Sequence, residues 1–474
     1  MGNAWRRQIE MKDMGKGAHY FWLWACLWVL AACRPTPPPS PVPIAGASPT
    51  SHLPATVTPT AAIESTPAPT EKPAPSPSPL PTASPTPLPL LSSPCGTTLP
   101  LQPPNTPPTT TSLNPNQLLD DVPETARAAV RYILENPEDV GLVAFRVGQE
   151  PYGIYLNADT PMPLASVAKL IDLLAYAEAV NAGELDPTEW VPLRDLEQYY
   201  LPGTDLNAHT YALEDAGTRD LIAADPPRTP LEEVPWMMIQ HSSNAAADYL
   251  HQRLGQARLE ATAQEMGLGS QGAPCPFIGQ FLVMANHLRA GSDPDAIKQY
   301  AADLDAYGAD VMRLTDAFAL DPSFRAAEIA WRRSNRRPSV QTQRLFTESL
   351  GARASARDYA NLMSRIAQNQ LTTGYMNILV RHYLEWPMIF AVNQDVFWTM
   401  GYKGGSLPGV LTGVYYGEPL TYRVPVVVAL FFHNLPMQTY RQWRQNWPHD
   451  ELARWLMYDV EALPTLARLL NNDN

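Results

Sequence analysis

The chain has 474 residues, with 34 Lys and Arg against 47 Asp and Glu and a formal net charge of -13. No stripe of basic residues offsets that balance, which excludes nucleic acid as a natural partner. The 50 prolines are very unevenly placed, so the folded part is shorter than the chain.

Residues 1–33 read as an export signal. Arg6, Arg7, Lys12 and Lys16 precede an apolar run from Phe21 to Ala32 that is short for a spanning helix, which needs about 20 residues. Leu30-Ala31-Ala32-Cys33 resembles the lipobox of bacterial lipoproteins, which implies lipidation at Cys33 and a site on the outer face of a bacterial cytoplasmic membrane. Residues 34–118 are Pro, Thr, Ser and Ala with almost no charge. Such a segment buries too little apolar surface to offset the entropy of ordering, and is expected to be an extended, disordered stalk. Cys95 and Cys275 are the pair available for a disulfide in an oxidising compartment, and the sequence leaves open whether they form one. No Cys or His spacing matches a metal site, and no cofactor is expected; a monomer is. His241 is the one histidine placed near the chemistry. The Arg332-Arg333…Arg336-Arg337 cluster reads as a solvated helix end rather than a phosphate site.

The folded domain spans 119–474. Pro123 to Glu135 predicts an opening amphipathic helix, and Val140–Val147 with Tyr152–Leu156 a hairpin. Pro161 and Pro163 precede a helix predicted from Leu164 to Val180. Residues 184–230 read as loops. A helical run from Leu231 to Gln240 leads into His241-Ser242-Ser243-Asn244 and a helix to Leu254. Several helices are expected over 277–350, then one capped by Ser355 and one from Leu371 to Leu384. The period then changes to strands at Val396–Ser406, Val410–Tyr416 and Arg423–Phe432, before a final helix at roughly 449–460.

Ser166 and Lys169 stand three residues apart, so one helix face carries both. A serine hydroxyl becomes a useful nucleophile when a neighbouring base takes its proton, and a desolvated amine can serve. Ser242 and Asn244 bring a hydroxyl and a carboxamide into a corner between two apolar helices.

Ser166-x-x-Lys169, Ser242-x-Asn244 and Lys403-Gly-Gly405, in that order, resemble the motif set of the active-site serine penicillin-recognising enzymes, the class A β-lactamases and penicillin-binding proteins. The similarity includes Asn181-Ala-Gly183 and Asp195-Leu-Glu-Gln-Tyr199, and it extends over most of 123–465. It implies a β-lactamase/transpeptidase-like fold: an α/β part at 119–160 and 390–474 with an antiparallel five-stranded sheet, and an inserted all-α part at 161–389. It also implies roles. Ser166 would form an acyl-enzyme with Lys169 as base. Ser242 would pass a proton to the leaving nitrogen, beside Lys403. Asn244, Gly405, Ser406 and Tyr199 would bind substrate, with the backbone N–H groups of Ser166 and Ser406 as the oxyanion hole.

Three departures stand out. Ser243 replaces the usual Asp, and Gly404 replaces the hydroxyl residue between Lys and Gly. The glutamate that activates the deacylating water in class A enzymes has no clear counterpart, since Glu328 and Glu348 lie outside the family's Glu-x-x-Leu-Asn context. The expected function is a serine hydrolase acylated by β-lactams or D-Ala peptides and esters, with slow deacylation. The alternative is a non-catalytic lipoprotein that binds cell-wall peptide through a vestigial site.

Overall fold

The computed structural model describes Leu90–Ser92, Thr98–Pro100 and residues 119–471, except Ser270, 272–273, Asn286, 289–293 and 335–336. The export segment, Cys33, Cys95 and most of the Pro/Thr/Ser segment lie outside the described residues. Cys275 is disulfide-bonded, and the other three cysteines are likewise outside them. Strands β1 (Leu90–Ser92) and β2 (Thr98–Pro100) pair antiparallel.

Helix α1 (Arg127–Glu135) starts four residues later than the proline at 123 predicts, after a turn. Then β3 (Val140–Arg146) and β4 (Ile154–Leu156) form the expected hairpin. β5 (Met162–Pro163) leads to a 3₁₀ turn at Ala165–Ala168, and only then to α2 (Lys169–Asn181). Ser166 thus sits on a tight turn ahead of the helix rather than on its first regular turn.

The stretch read as loops, 184–230, holds strands β6 (Trp190–Pro192), β7 (Ala223–Ala224) and β8 (Pro227–Pro230) and helix α3 (Ala208–Thr218). The buried face of α3 includes Ala208, Ala212 and Ala216, and alanine gives little hydrophobic contrast from which to read a period. Next come α4 (Glu233–Ile239), α5 (Asn244–Leu254) and α6 (Gln256–Glu265).

The insertion contains α7 (Phe277–Met284), α8 (Pro294–Ala302), α9 (Leu304–Leu320), α10 (Pro322–Arg333) and α11 (Val340–Leu350). It has its own core of Ile278, Leu282, Tyr307, Val311, Phe318 and Phe346. Arg332 is buried and donates to Phe281 O and Ala285 O, so this member of the arginine cluster caps a helix end inside the insertion and is not solvated. After β9 (Arg353–Ala354), α12 (Ala356–Ala367) is capped by Ser355, and α13 is Gly374–Leu384.

The sheet is completed by β10 (Phe397–Leu407), β11 (Val410–Pro419) and β12 (Val426–Phe432), in the antiparallel order β10-β11-β12-β3-β4. Three helices close the chain, α14 (Met437–Asn446), α15 (Pro448–Tyr458) and α16 (Ala462–Asn471), where one was predicted. Pro464 stands in the first turn of α16, a position that lacks an intrahelical N–H partner in any case.

Strand β12 shows how the layers form. Val427, Ala429 and Phe431 point into the core that holds α2 and α12. Val426, Val428, Leu430 and Phe432 point into a second core against α1, α15 and α16. The strand is buried on both faces, so its residues run apolar without a polar alternation. Helix α2 is buried all round from Lys169 to Ala177. A charge in such a helix is expensive unless it is paired.

Candidate active site

Ser166 is held at the head of α2 by the sheet. Thr412 Oγ1 of β11 donates to Leu164 O at 2.8 Å, and Ala165 takes a left-handed φ of +49°, so the backbone is strained immediately before the serine. The Lys169 Nζ lies 3.2 Å from Ser166 Oγ.

The second segment arrives between α4 and α5. Ser242 also has a left-handed φ, +67°, and Ser243 Oγ caps α5 by accepting from Ala246 N at 3.1 Å. This turn points three oxygens at Lys169 Nζ: Ser242 O at 2.6 Å, Asn244 Oδ1 at 2.7 Å and Ser242 Oγ at 3.4 Å. A neutral amine has two N–H groups. The two shortest contacts use them, which leaves the lone pair for the Ser166 hydroxyl.

The third segment is the edge strand β10. Lys403 Nζ lies 3.0 Å from Ser242 Oγ and 2.8 Å from Gly404 O. Gly405 faces the nucleophile: a Cβ there would meet Thr412 Oγ1 at 2.5 Å, Leu164 O at 2.6 Å and Ser166 N at 2.8 Å. Only glycine lets β10 come this close. At Gly404 a Cβ would fall 2.0 Å from the Tyr402 hydroxyl, so a hydroxyl residue is excluded here by Tyr402, which stacks on Tyr415 behind the strand. Ser406 does not supply the missing group from its side chain, because its Oγ is bonded to Tyr440 OH at 2.9 Å.

Burial pushes the Lys169 amine down to about 8, against the opposing pull of Asp205, Asp248 and Asp172. Those three carboxylates are the charged environment of the base. Burial raises Asp248 to about 7, although it accepts from two backbone N–H groups, and burial with the nearby Asp248 holds Asp172 well above the usual carboxylate range. Asp205 is raised by burial too, and it accepts from the backbone of His209, Asn207 and Asn244.

Sequence reasoning missed these acids, although Asp172 is three residues from Lys169 and Asp248 four from Asn244, spacings that share a helix face. His241 stands next to Ser242 in the chain and is bonded to Asp215 at 3.2 Å; a second histidine that sequence reasoning did not single out, His209, reaches Ser243 Oγ at 2.9 Å and bridges α3 to the motif. Burial pushes His209 down to about 4, so it is neutral.

Tyr199 is half-buried against the core of the insertion, and burial pushes its hydroxyl up to about 12. Glu328 is fully buried and bonded to His287 at 2.8 Å. Glu348 is engaged by His433 and Arg353. The group that covers Lys169 from the segment after α5 is the Phe277 ring, its centroid 4.6 Å from Nζ.

Ser166 behind the strained Ala165, a buried amine, a second serine and a second lysine thus converge beside the antiparallel sheet. The chain belongs to the Beta-lactamase enzyme family, whose model matches residues 124–414. Among solved structures, it is similar to a β-lactamase from Sphaerobacter thermophilus DSM 20745, with 18% identity over 69% of this chain and 95% of that one and a TM-score of 0.42. It is also similar to PBP-A (16% identity, 72% and 99% covered, TM-score 0.39). A β-lactamase from Chitinophaga pinensis DSM 2588 matches at 13% identity, 70% and 100% covered, TM-score 0.40. No curated protein matches the chain.

Proposed function

We propose that the protein is a serine hydrolase, acylated on Ser166 by β-lactams or by D-Ala peptides and esters, and lipid-anchored through Cys33 outside the cytoplasmic membrane. One observation carries the reading. Lys169 Nζ stands within 3.4 Å of both serine hydroxyls, and Lys403 Nζ within 3.0 Å of the second.

In the proposed reaction Lys169 takes the Ser166 proton as Oγ bonds to the substrate carbonyl carbon. Negative charge collects on the carbonyl oxygen, facing the N–H groups of Ser166 and Ser406. The C–N bond then breaks, the leaving nitrogen takes the proton of Ser242, whose hydroxyl Lys403 orients, and the Ser242 oxygen takes in turn the proton held on Lys169 Nζ, 3.4 Å away, which returns the amine to its free base. With its amine near 8, about a tenth of Lys169 is the free base at neutral pH. Hydrolysis of the acyl-enzyme is slow in this reading. Both oxygens of Asp248 accept from backbone N–H groups, Asp205 Oδ2 accepts from His209 N, and the group over Lys169 Nζ from the segment after α5 is an apolar ring.

Incubation with a fluorescent penicillin tests the proposal. Wild type should carry a stable covalent label, and Ser166→Ala none. Absence of label on wild type, or equal label on the variant, overturns it.

A further inference from the structure

The insertion shares a hinge point with the catalytic machinery. Asp248 projects from α5, the helix that begins at Asn244. Its two carboxylate oxygens accept from the first two backbone N–H groups of α7, Phe277 N at 2.6 Å and Ile278 N at 2.7 Å. A carboxylate in this position satisfies donors that have no partner within the helix and meets the positive end of its dipole. The far end of α7 is held by Arg332, which donates to Phe281 O and Ala285 O at 2.7 and 2.9 Å. Ile278 and Leu282 then bury α7 in the core of the insertion. The one ring this fixed helix turns back toward the cleft is Phe277, 4.6 Å from Lys169 Nζ.

We propose that the helical insertion controls the base: Asp248 seats α7, and α7 holds the Phe277 ring over the Lys169 amine, shutting water out on that side. Asp248 is in this view a positioning residue acting through Phe277. The ring does two opposed things. It removes water from the ammonium, which favours the free amine, and its face attracts the cation, which favours the charged form. In a pocket already closed by α5 and the 3₁₀ turn, removal of water is the larger effect.

The groups that face the amine are Asp172 from α2 itself, Asp205 from the loop ahead of α3 and Asp248 from α5. Lys403 of β10 shares the Ser242 hydroxyl with it, and His251 of α5 stands 3.9 Å from Asp172. A direct charge role for Asp248 would therefore raise the affinity of Lys169 for its proton. The seating role makes the opposite contribution, and the two separate by sign.

The inference rests on Lys169 as the acylating base, but its test reads the amine itself. The full chain has six lysines, few enough for a complete titration by NMR with 13C at the lysine ε carbon, the Lys169 signal being the one lost in Lys169→Met. Phe277→Leu keeps the apolar cover and should titrate close to wild type. Phe277→Ala should titrate higher by about one unit, a tenfold change in proton affinity. Asp248→Asn should also move upward, although it removes a neighbouring negative charge. Cooperative thermal unfolding of each variant checks that it is folded. Phe277→Ala titrating with wild type, or Asp248→Asn unmoved or moved downward, overturns the proposal. Should penicillin never label the wild type, the hydrolase reading falls while this titration still decides the control of the amine.

Discussion

Gly405→Ala probes the approach of β10 to the nucleophile directly. The added Cβ would lie 2.5 to 2.8 Å from Thr412 Oγ1, Leu164 O and Ser166 N, and two of those three atoms belong to the backbone that sets Ser166. Ordinary contact begins near 3.4 Å, so the strand must withdraw from the serine turn by something approaching 1 Å. A misplacement of that size costs on the order of 100-fold in rate, about 2.7 kcal/mol, comparable to losing one oxyanion donor. Overpacking should lower stability by about 1–3 kcal/mol in addition. The rate of labelling by fluorescent penicillin, followed with thermal melts, measures both. Gly404→Ala is the matched control. Its Cβ meets the Tyr402 ring behind the strand, so it should lose stability while labelling within a few-fold of wild type. A Gly405→Ala protein that is folded and labels at the wild-type rate would refute the placement of the oxyanion site, and so would equal slowing by both variants.

The rate of acylation should rise with pH as Lys169 loses its proton and level off above about 8; a profile flat from about pH 6 to about 9 would remove Lys169 as the base. Burial holds the folded His209 near 4 against an ordinary 6.5, so the stability it contributes is present above 6.5 and is lost as pH falls toward 4. At about pH 5 that loss is roughly 2 kcal/mol, and denaturant melts should show His209→Gln losing less between about pH 7.5 and about 5 than wild type does. A pH dependence unchanged in the variant would count against the buried neutral imidazole. Tyr415 donates to the buried Asp450, so Tyr415→Phe should cost about 1–3 kcal/mol in chemical denaturation with acylation intact. An unshifted midpoint would show that this bond contributes nothing.

Much of the architecture was legible because the strands are extreme in composition. Val426-Val-Val428 and Val140 to Phe145 read as strand in any register, and the hairpin between 140 and 156 follows from its turn residues. The three motifs were legible because each joins a polar residue to an otherwise apolar run. Helix α3 was hidden by its alanines, and α14 by a sequence in which only Tyr440 and Trp443 are buried. Asp205 was beyond reach for a different reason. Its role depends on backbone donors at Asn207, His209 and Asn244, and a carboxylate that serves backbone leaves no side-chain pattern to recognise. Arg332 was misread because a run of arginines says nothing of which one turns inward to helix carbonyls.

The ends of the folded domain meet. Asp121, in the turn ahead of α1, and Arg468, on the closing helix α16, pair at 3.9 Å, on the far side of the sheet from Ser166. A short flexible linker across that gap would convert the domain into a closed loop of chain. New termini opened at an exposed turn elsewhere would then yield a circular permutant with its reactive groups untouched, provided the cut spares α2, α5 and β10.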